Sequence, residues 1–466
     1  MDQLTEPAAE PSAVPAVQDV RRGSGVLEDV LVLGALAWWG TALTWGTGGR
    51  DPHVVTIGLL ILAAAAWCVR PWELLPGWVS AATLGPAAAA FLVCLVAPTG
   101  WAGADTMASW VYAGLSAAVC AAWAREHQRR EWLLLVLALA PLLSFAKGWT
   151  AWWGGEDPAR PFIGTFYWHN QEAAFLLVGA LCGLALALTT RSVLRAVGCL
   201  SVALCGAGIV LSTSRGTMMA LGGALALVFV AGLLTRSWRV AVAAVLAGGT
   251  GLLTATVLAG PPFFTHHASA FDGTTARAQA GETLGANSGH RLHDWSQAVH
   301  VIKHWPLFGT GFHGFAWSSA EIDPAHQGSL TPFAHNGLLQ LFVDGGLLLG
   351  LTTLAALVAV GIATARSLPA VLRVRNWQAV ICVAALIAAL LHSAIDFDWS
   401  YPALLSGFAL LSVLAAPPAG PVAERSPVAS RLMAAAWTGL VVAAALGAWR
   451  GGIHLNVHAV SSMGAR

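Results

Sequence analysis

The stretch NGLLQLFVDGGLLLGLTTLAALVAVGIAT, residues 336–364, decides the fold class of this chain. Its one charged side chain is that of Asp344, and most of the other residues are apolar or glycine. A helix rises 1.5 Å per residue, so about 20 apolar residues cross a hydrocarbon core of about 30 Å. The stretch is therefore long enough to predict a transmembrane helix.

The whole chain shares this apolar character. Of its 466 residues, 57% are hydrophobic and 10% are charged, whereas an ordinary globular chain is about 25% charged. Twelve further windows are long and apolar enough to cross a bilayer: 26–46, 53–69, 78–97, 105–124, 131–149, 170–189, 193–212, 216–235, 239–260, 377–395, 400–416 and 431–449. We therefore predict an all-α polytopic integral membrane protein with about 12–13 transmembrane helices. The net charge of +1 gives no support to a nucleic-acid partner.

Arginine residues indicate the orientation of these helices, because cytoplasmic loops retain positive charge. If the N-terminus is inside, inner segments hold 15 of the 24 basic residues: Arg21, Arg22, Arg70, Arg125, Arg129, Arg130, Arg191, Arg195, Arg236, Arg239, Arg366, Arg373, Arg375, Arg425 and Arg431. The long loop 261–335 then faces away from the cytoplasm, as do residues 148–169 and 396–401. Candidate chemistry is expected on this outer side.

Arg215, in the turn LSTSRG of residues 211–216, is the first candidate site residue. Positive charge is disfavoured in an outer turn, and ionisable residues at membrane depth are functional candidates by default. Gly216 beside it permits another group to approach closely. The alternative is an arginine whose side chain reaches the membrane interface and has no further role.

The outer loop contains an amphipathic pattern that predicts a helix. Asn287 or Ser288 can cap its start, and Pro306 with Gly309 can end it. The apolar positions that recur at helical spacing are Leu292, Trp295, Val299 and Ile302. Arg291, in the first turn of this helix, could approach Arg215, although a solvent-facing arginine is the alternative. A metal site on His290, His293, His300 and His304 is disfavoured, because no cysteine or HExxH motif assists it.

Two further elements place ionisable groups at the outer ends of spans. In AHNGLLQ, residues 334–340, His335 lies at the mouth of the span that carries Gln340 and Asp344. Asp344 could be functional or could simply bond a neighbouring helix, and His335 could simply cap the helix that begins near Asn336. In LHSAIDFDW, residues 391–399, His392 and Asp396 are one helical turn apart.

These elements, taken in order, resemble the O-antigen ligase/polymerase family of bacterial envelope glycan assembly. The text that carries the resemblance is GTFYWHN at 164–170, LSTSRG at 211–216, GHRLHDWSQAVHVIKHWPLFGTGFHGF at 289–315, AHNGLLQLFVDGGLLLG at 334–350 and LLHSAIDFDWSYPAL at 390–404. The resemblance implies a membrane-embedded glycosyltransferase of the C-type fold that needs no cofactor. It also implies a location in the bacterial inner membrane, with the site facing the periplasm.

The resemblance also implies roles for particular residues. Arg215 and Arg291 would bind the pyrophosphate of an undecaprenyl pyrophosphate-linked glycan donor. His335 would accept the proton of an acceptor hydroxyl on a glycan, lipid A core or protein. Asn336, Asp344, His392 and Asp396 would be supporting residues, with no metal ion involved.

The composition, the apolar windows and the resemblance together predict a domain organisation. A disordered cytoplasmic tail at 1–25 would precede N-terminal transmembrane helices at 26–160. The catalytic membrane domain would cover 161–416 and include the outer loop 261–335, and a last transmembrane helix with a tail would cover 417–466. Two other functions stay open: a repeat-unit polymerase of O-antigen or exopolysaccharide in the same family, and a transporter or flippase of lipid-linked sugars.

Overall fold

A computed structural model describes residues 25–153, 161–266, 284–323, 332–418 and 426–463. For residues 261–266, 284–290 and 451–463 it describes the backbone alone. Apart from Gly25, the tail expected at 1–25 lies outside the described residues, and so do residues 267–283 and 324–331 of the outer loop.

The described residues form helices joined by short loops and contain no strand, which confirms the all-α fold class. The α-helices are α1 (Gly25–Trp38), α2 (Pro52–Val69), α3 (Pro71–Leu74), α4 (Gly77–Val96), α5 (Ala104–Trp123), α6 (His127–Trp153), α7 (His169–Thr189), α8 (Ser192–Leu211), α9 (Arg215–Leu234), α10 (Trp238–His266), α11 (Leu284–His304), α12 (Phe315–Ile322), α13 (Gly337–Arg373), α14 (Trp377–Ser393), α15 (Pro402–Ala415) and α16 (Pro427–Met463). A π-helical turn at Trp39–Leu43 extends α1, and a 3₁₀ turn at Gly100–Gly103 precedes α5.

Eleven helices in the described part of the chain are long and apolar enough to cross a membrane. Two more, α14 and α15, are apolar but shorter. Each of the thirteen predicted windows corresponds to one of these helices, so the prediction of a multi-pass membrane protein is confirmed. The count of full-length spans is lower than predicted because the windows at 377–395 and 400–416 include turn residues at their ends.

Loops from distant parts of the chain meet at one end of the helical bundle. The amide of Ala403 donates to the carbonyl of Gly48 at 3.1 Å, and the amide of Phe162 donates to the carbonyl of Leu211 at 3.0 Å. We call this end, which carries residues 44–51, 97–103, 212–214 and 394–401, the site end. All the candidate residues from the sequence lie in helices or loops that begin or finish here.

Helices α5 and α7 form the centre of the bundle. In each of them, 83% of the residues in the most apolar window are buried, compared with 28% in α9 and α10. Helix α7 packs against α6, α8 and α14, and α5 packs against α2, α4 and α15. Since α7 begins at His169, the central helix presents its first turn to the site end.

Helix α13 is interrupted at Gly346, whose φ of 56° and ψ of −152° are not helical. A segment of the outer loop, residues 306–311, crosses the interruption. The amides of Thr310 and Gly311 donate to the carbonyls of Val343 and Asp344 at 2.8 and 2.9 Å. In return, the carbonyls of Pro306 and Leu307 accept from Leu347 and Leu348 at 2.7 and 3.1 Å. A side chain at Gly346 would collide with the backbone of Leu307 and Gly309, so glycine permits the close approach.

Candidate functional site

The buried carboxylate of Asp396 is the centre of the candidate site. Its side-chain oxygens accept from Asn170 Nδ2 and Gln171 Nε2, in the first turn of α7, both at 2.9 Å. The amide of Phe397 donates a third bond at 2.9 Å. The guanidinium of Arg291 lies 3.7 Å from Oδ2, and Nδ1 of His335 lies 3.8 Å from Oδ1. The loop after α14 therefore gathers residues from α7, α11 and the start of α13 around one negative charge.

The electrostatics of Asp396 favour its ionised form. Burial of the carboxyl group raises its pKa, but the interaction with the nearby imidazole of His335 and the hydrogen bond from the Phe397 amide lower it more strongly. The net effect holds the pKa of Asp396 below its ordinary value, at about 2. Asp396 is therefore a permanent anion at neutral pH that can orient two cationic or polarisable neighbours.

His335 is held by its backbone while its ring stays partly open. Its φ of 48° is left-handed, its carbonyl accepts from Trp295 Nε1 at 3.2 Å, and its ring contacts the edge of Phe397 at 5.0 Å between centroids. Its side chain is 29% exposed. The cap of α13 is formed by the side chain of Asn336, which accepts from the Leu339 amide at 3.0 Å. The alternative that His335 is the helix cap is therefore wrong.

The outer helix α11 differs from its prediction in two respects. It begins at Leu284, so neither Asn287 nor Ser288 caps it. Leu292 and Val299, expected on its buried face, are 60% and 40% exposed. The buried face consists of Asp294, Gln297, Ala298 and Val301. The reason is that the polar positions have partners: Gln297 Nε2 donates to Asp323 Oδ2 at 2.8 Å, while Ala298 and Val301 pack in a small apolar cluster with α12 and α13.

His392, which is one helical turn before Asp396 in the sequence, has its hydrogen-bond partner two residues further on, at Asp398. His392 Nδ1 lies 2.7 Å from Oδ2 of Asp398, and the Ser393 hydroxyl donates to the same oxygen at 3.0 Å. The side chains of His392 and Asp398 are both buried, at 1% and 0% exposure. A spacing of one helical turn favours Asp396 as the neighbour of His392 only if the helix continues. Helix α14 ends at Ser393, and the turn that follows places Asp398 against the imidazole of His392.

The side chain of Asp344 has its partner on its own helix and not on the neighbouring helix that the sequence suggested. Gln340 Nε2 donates to Asp344 Oδ1 at 2.8 Å, and Gln340 Oε1 accepts from the amide of Ala334 at 2.8 Å. Asp344 also provides a carbonyl for Gly311. Gln340 and Asp344 therefore join the approach to His335 with the interruption in α13.

Arg215 begins α9 at the site end, after a turn in which the Ser212 hydroxyl accepts from the Ser214 amide at 3.3 Å. The next residue, Gly216, lies close to Ile395 and to the ring of His392; a Cβ atom there would be 3.4 Å from that ring. The start of α9 and the side chain of Arg291 therefore both lie against the segment of residues 392–396.

Sequence reasoning missed four residues of this site: Arg50, Asn170, Gln171 and Asp398. Asn170 belongs to the family-like text GTFYWHN, so a signal existed there, but none of the four stands out by spacing alone. Arg50 lies in the loop between α1 and α2, and its guanidinium carbon is 4.3 Å from the ring centre of Tyr401. Tertiary contacts over long chain separations create these positions.

The histidine spacing on α11 does not build a metal site in the part of the chain that is described. Within those ranges, no group of three or more His, Cys, Asp or Glu side chains could hold a metal ion. The side chain of His290 lies outside the described residues. His304 contacts the carbonyl of His300 at 3.0 Å.

An apolar groove of about 440 Å³ runs along the bundle between α4, α5, α13, α14 and α15. Trp399 lies at its site end, and Arg130, at the start of α6, lies toward the other end. Many of its lining residues are small, such as Ala113, Gly114 and Ala117. A separate cavity of about 20 Å³ shares Trp110 and Trp399 with the groove and is also lined by Gln340, Asp344 and Phe397.

The fold and site define a class: a multi-pass membrane protein with a charged, partly open site where several helix ends meet. Residues 200–354 match a protein-family model described as O-Antigen ligase. The match confirms the resemblance found in the sequence, because this segment is similar to the O-antigen ligase family. Members of that family are glycosyltransferase-like ligases and polymerases. No curated protein matches the chain.

Proposed function

We propose that this protein transfers a glycan from undecaprenyl pyrophosphate to an acceptor hydroxyl at the outer face of the bacterial inner membrane, as an O-antigen ligase does. The observation that carries the proposal is the convergence of His335, Arg291 and Asp396, two of them within the matched family segment. Arg215, which begins α9 beside the same loop, belongs to that segment as well.

In the proposed step, the oxygen of the acceptor hydroxyl attacks the anomeric carbon of the donor glycan. The bond from that carbon to the pyrophosphate oxygen breaks, and undecaprenyl pyrophosphate leaves with the bonding electrons. The hydroxyl proton passes to His335, because an alcohol oxygen is a poor nucleophile until its proton is accepted. Nδ1 of His335 is buried toward Asp396, so Nε2 is the nitrogen that accepts.

Two arginines supply the charge that the leaving group needs. A guanidinium stays protonated and can grip phosphate oxygens through two parallel hydrogen bonds. Arg215 and Arg291 would thereby neutralise the negative charge that develops on the pyrophosphate, without a metal ion. Asp396 holds Arg291 near His335, which keeps the donor phosphates and the base in register.

The apolar groove supports a lipid-linked donor. It extends into the bundle from Trp399 at the site end and is lined by apolar side chains over most of its length. Small residues usually let transmembrane helices approach closely, but here they leave room for an extended hydrocarbon chain. An isoprenoid chain could lie in this groove while its pyrophosphate remains at the site end.

The positions of the arginines support the proposed orientation. Arg70, Arg125, Arg236 and Arg375 all lie in loops at the end of the bundle opposite the site end. Cytoplasmic loops carry such an excess, so the site end would face the periplasm. A reporter enzyme fused within residues 270–330 should be active only outside the cytoplasm.

Complementation tests the proposed function and separates a ligase from a polymerase. The parent gene should restore full-length glycan on lipid A core in ligase-deficient cells and should leave glycan length unchanged in polymerase-deficient cells. The Arg366→Gln variant, altered at the opposite end of the bundle, should behave like the parent. Purified protein should keep its transfer rate in excess chelator. Restoration of chain length alone would identify a polymerase, and no restoration in either strain would contradict the proposal.

A further inference from the structure

The loop between α1 and α2 is shaped to present Arg50 at the site end. Three consecutive residues, Thr47, Gly48 and Gly49, have positive φ angles of 57°, 70° and 88°. Such angles are unfavourable for threonine and accessible to glycine. A Cβ atom at Gly48 would lie 2.6 Å from Phe166 and 2.8 Å from Tyr401. The loop is thus pressed onto the aromatic residues of the site, and backbone strain of this kind is characteristic of functional positions.

The guanidinium of Arg50 is held by aromatic rings. Its central carbon lies 4.3 Å from the ring centre of Tyr401 and 5.6 Å from that of Phe333. Of the side chains that the structure describes, no carboxylate lies within ion-pair distance of Arg50. The side chain of Arg50 is exposed to solvent although it contacts two aromatic rings. A cation–π contact fixes the position of an arginine and leaves its N–H edges available for an anion.

Two paths of contact lead away from His335. One passes through Asp396 to Arg291. The other passes through Phe397, whose ring stacks on Phe333 at 4.4 Å, and from Phe333 to Arg50. His335 is therefore connected to the two arginines through different neighbouring side chains.

We propose that Arg50 binds a phosphate or carboxylate group of an anionic glycolipid acceptor. This inference rests on the proposed function, in which the donor pyrophosphate occupies the side of Arg291. In a direct displacement, the attacking oxygen and the leaving oxygen lie on opposite sides of the anomeric carbon. The acceptor must then approach His335 by the other path, which ends at Arg50.

Binding measurements on the full-length protein in detergent micelles test the inference with two probes. The donor probe is undecaprenyl pyrophosphate without glycan. The acceptor probe is lipid A core oligosaccharide, used with its phosphates and again after their removal. Arg50→Gln should weaken binding of the phosphorylated acceptor about 10- to 100-fold, as expected for the loss of a charge-assisted hydrogen bond. The dissociation constant of undecaprenyl pyrophosphate should not change.

Matched variants separate anion binding from structural support. Arg50→Lys should retain part of the affinity, because it keeps the charge. Tyr401→Phe keeps the ring beneath the guanidinium and removes a hydroxyl that has no hydrogen-bond partner among the described residues, so it should bind like the parent. Tyr401→Leu removes the ring and should shift affinity in the direction of Arg50→Gln. Arg366→Gln should have no effect on either probe.

The outcomes distinguish this inference from the proposed function. Equal binding of phosphorylated acceptor by the parent and by Arg50→Gln would overturn the inference and leave the proposed function intact. Equal weakening of both probes would assign Arg50 to the donor and overturn the acceptor assignment. A parent that binds the donor probe but not the phosphorylated acceptor would also overturn it. A parent that binds neither lipid would contradict the proposed function itself.

Discussion

Two histidine–carboxylate pairs lie at the site end, where both carboxylates are buried, and they differ in the distance between the partners and in the exposure of the histidine. His392 and Asp398 are 2.7 Å apart and almost completely buried. His335 and Asp396 are 3.8 Å apart, and the side chain of His335 is 29% exposed. The first imidazole already has a close partner on Nδ1, whereas the second is oriented by a charge without being bonded tightly to it. The difference indicates that the tight pair fixes the loop after α14, whereas the loose pair leaves the ring of His335 partly exposed.

Replacement of His335 is expected to have the largest effect on transfer rate. His335→Ala should insert, fold and bind undecaprenyl pyrophosphate, yet lose about 10²- to 10⁴-fold in rate, because removal of a general base has that effect. His335→Asn should be similarly inactive. Single-turnover assays beside a donor-binding measurement test this, with His304→Ala, an exposed histidine on α11, as the control. Near-normal turnover by His335→Asn would remove the role of base from this residue.

Arg291→Lys should have the next largest effect. Lysine keeps the charge but loses the planar fork that grips two phosphate oxygens, at a cost of about 1.5–3 kcal/mol, or about one to two decades in rate. The measurement is kcat/KM for the lipid donor, with Lys303→Gln, an exposed basic residue farther along α11, as the control. A Lys variant with parental donor affinity and rate would show that Arg291 only neutralises Asp396.

Asp398→Asn should separate the two pairs. It breaks the buried contact with His392 and should lower the free energy of unfolding by about 1–3 kcal/mol, because a buried polar group loses its partner. The rate per folded molecule should stay within about threefold of the parent, far less than the effect expected at His335. Thermal denaturation in detergent and active-site-normalised rates give the two quantities. A collapse of the rate in fully folded protein would make His392 part of the chemistry.

A third pair, more exposed than the other two, should give the smallest effect. His313 lies 3.0 Å from Asp105, and their side chains are 49% and 36% exposed. Burial lowers the pKa of His313, whereas the hydrogen bond and the negative charge of Asp105 raise it. The second effect is larger, so the pKa of His313 lies above its ordinary value. The pair therefore stabilises the fold at pH below the ordinary histidine value, and this contribution is lost as pH rises through the raised pKa.

The expected contribution of that pair is below about 1 kcal/mol because it is partly open to solvent. The thermal midpoint of the parent should fall slightly between mildly acidic and mildly alkaline pH. His313→Gln should flatten this change and leave the transfer rate unaltered. A variant with the same pH dependence as the parent would show that another group is responsible.

The sequence predicted the parts of this molecule that depend on composition and on single positions. Apolar windows located every helix of the bundle, because the bilayer imposes length and hydrophobicity on each span separately. His335, Arg291 and Asp396 were identified as candidates because charge is costly at membrane depth. The pairing of His392 with Asp398 was not predicted, since helical spacing assumes that the helix continues, and α14 ends one residue after His392.

The buried face of α11 and the position of Arg50 were unpredictable for a related reason. Hydrophobic periodicity assigns apolar residues to the interior. Gln297 is nevertheless buried, because it donates a hydrogen bond to Asp323, the residue that directly follows α12. Arg50 reaches the site because Gly48 and Gly49 adopt left-handed angles against Tyr401. In both cases the determining contact joins residues that are far apart in the chain, so the local sequence pattern cannot predict it.

The interruption of α13 at Gly346 has a consequence for the biogenesis of the protein. Four backbone groups released by the interruption are satisfied by residues 306–311, and a hydrocarbon core offers no substitute for such bonds. Residues 306–311 precede α13 in the chain, so they are synthesised before the helix whose backbone groups they satisfy. If α13 entered a bilayer before this segment had packed against it, the four backbone groups at the break would have no hydrogen-bond partner. The break in α13 and the segment that crosses it therefore have to form together.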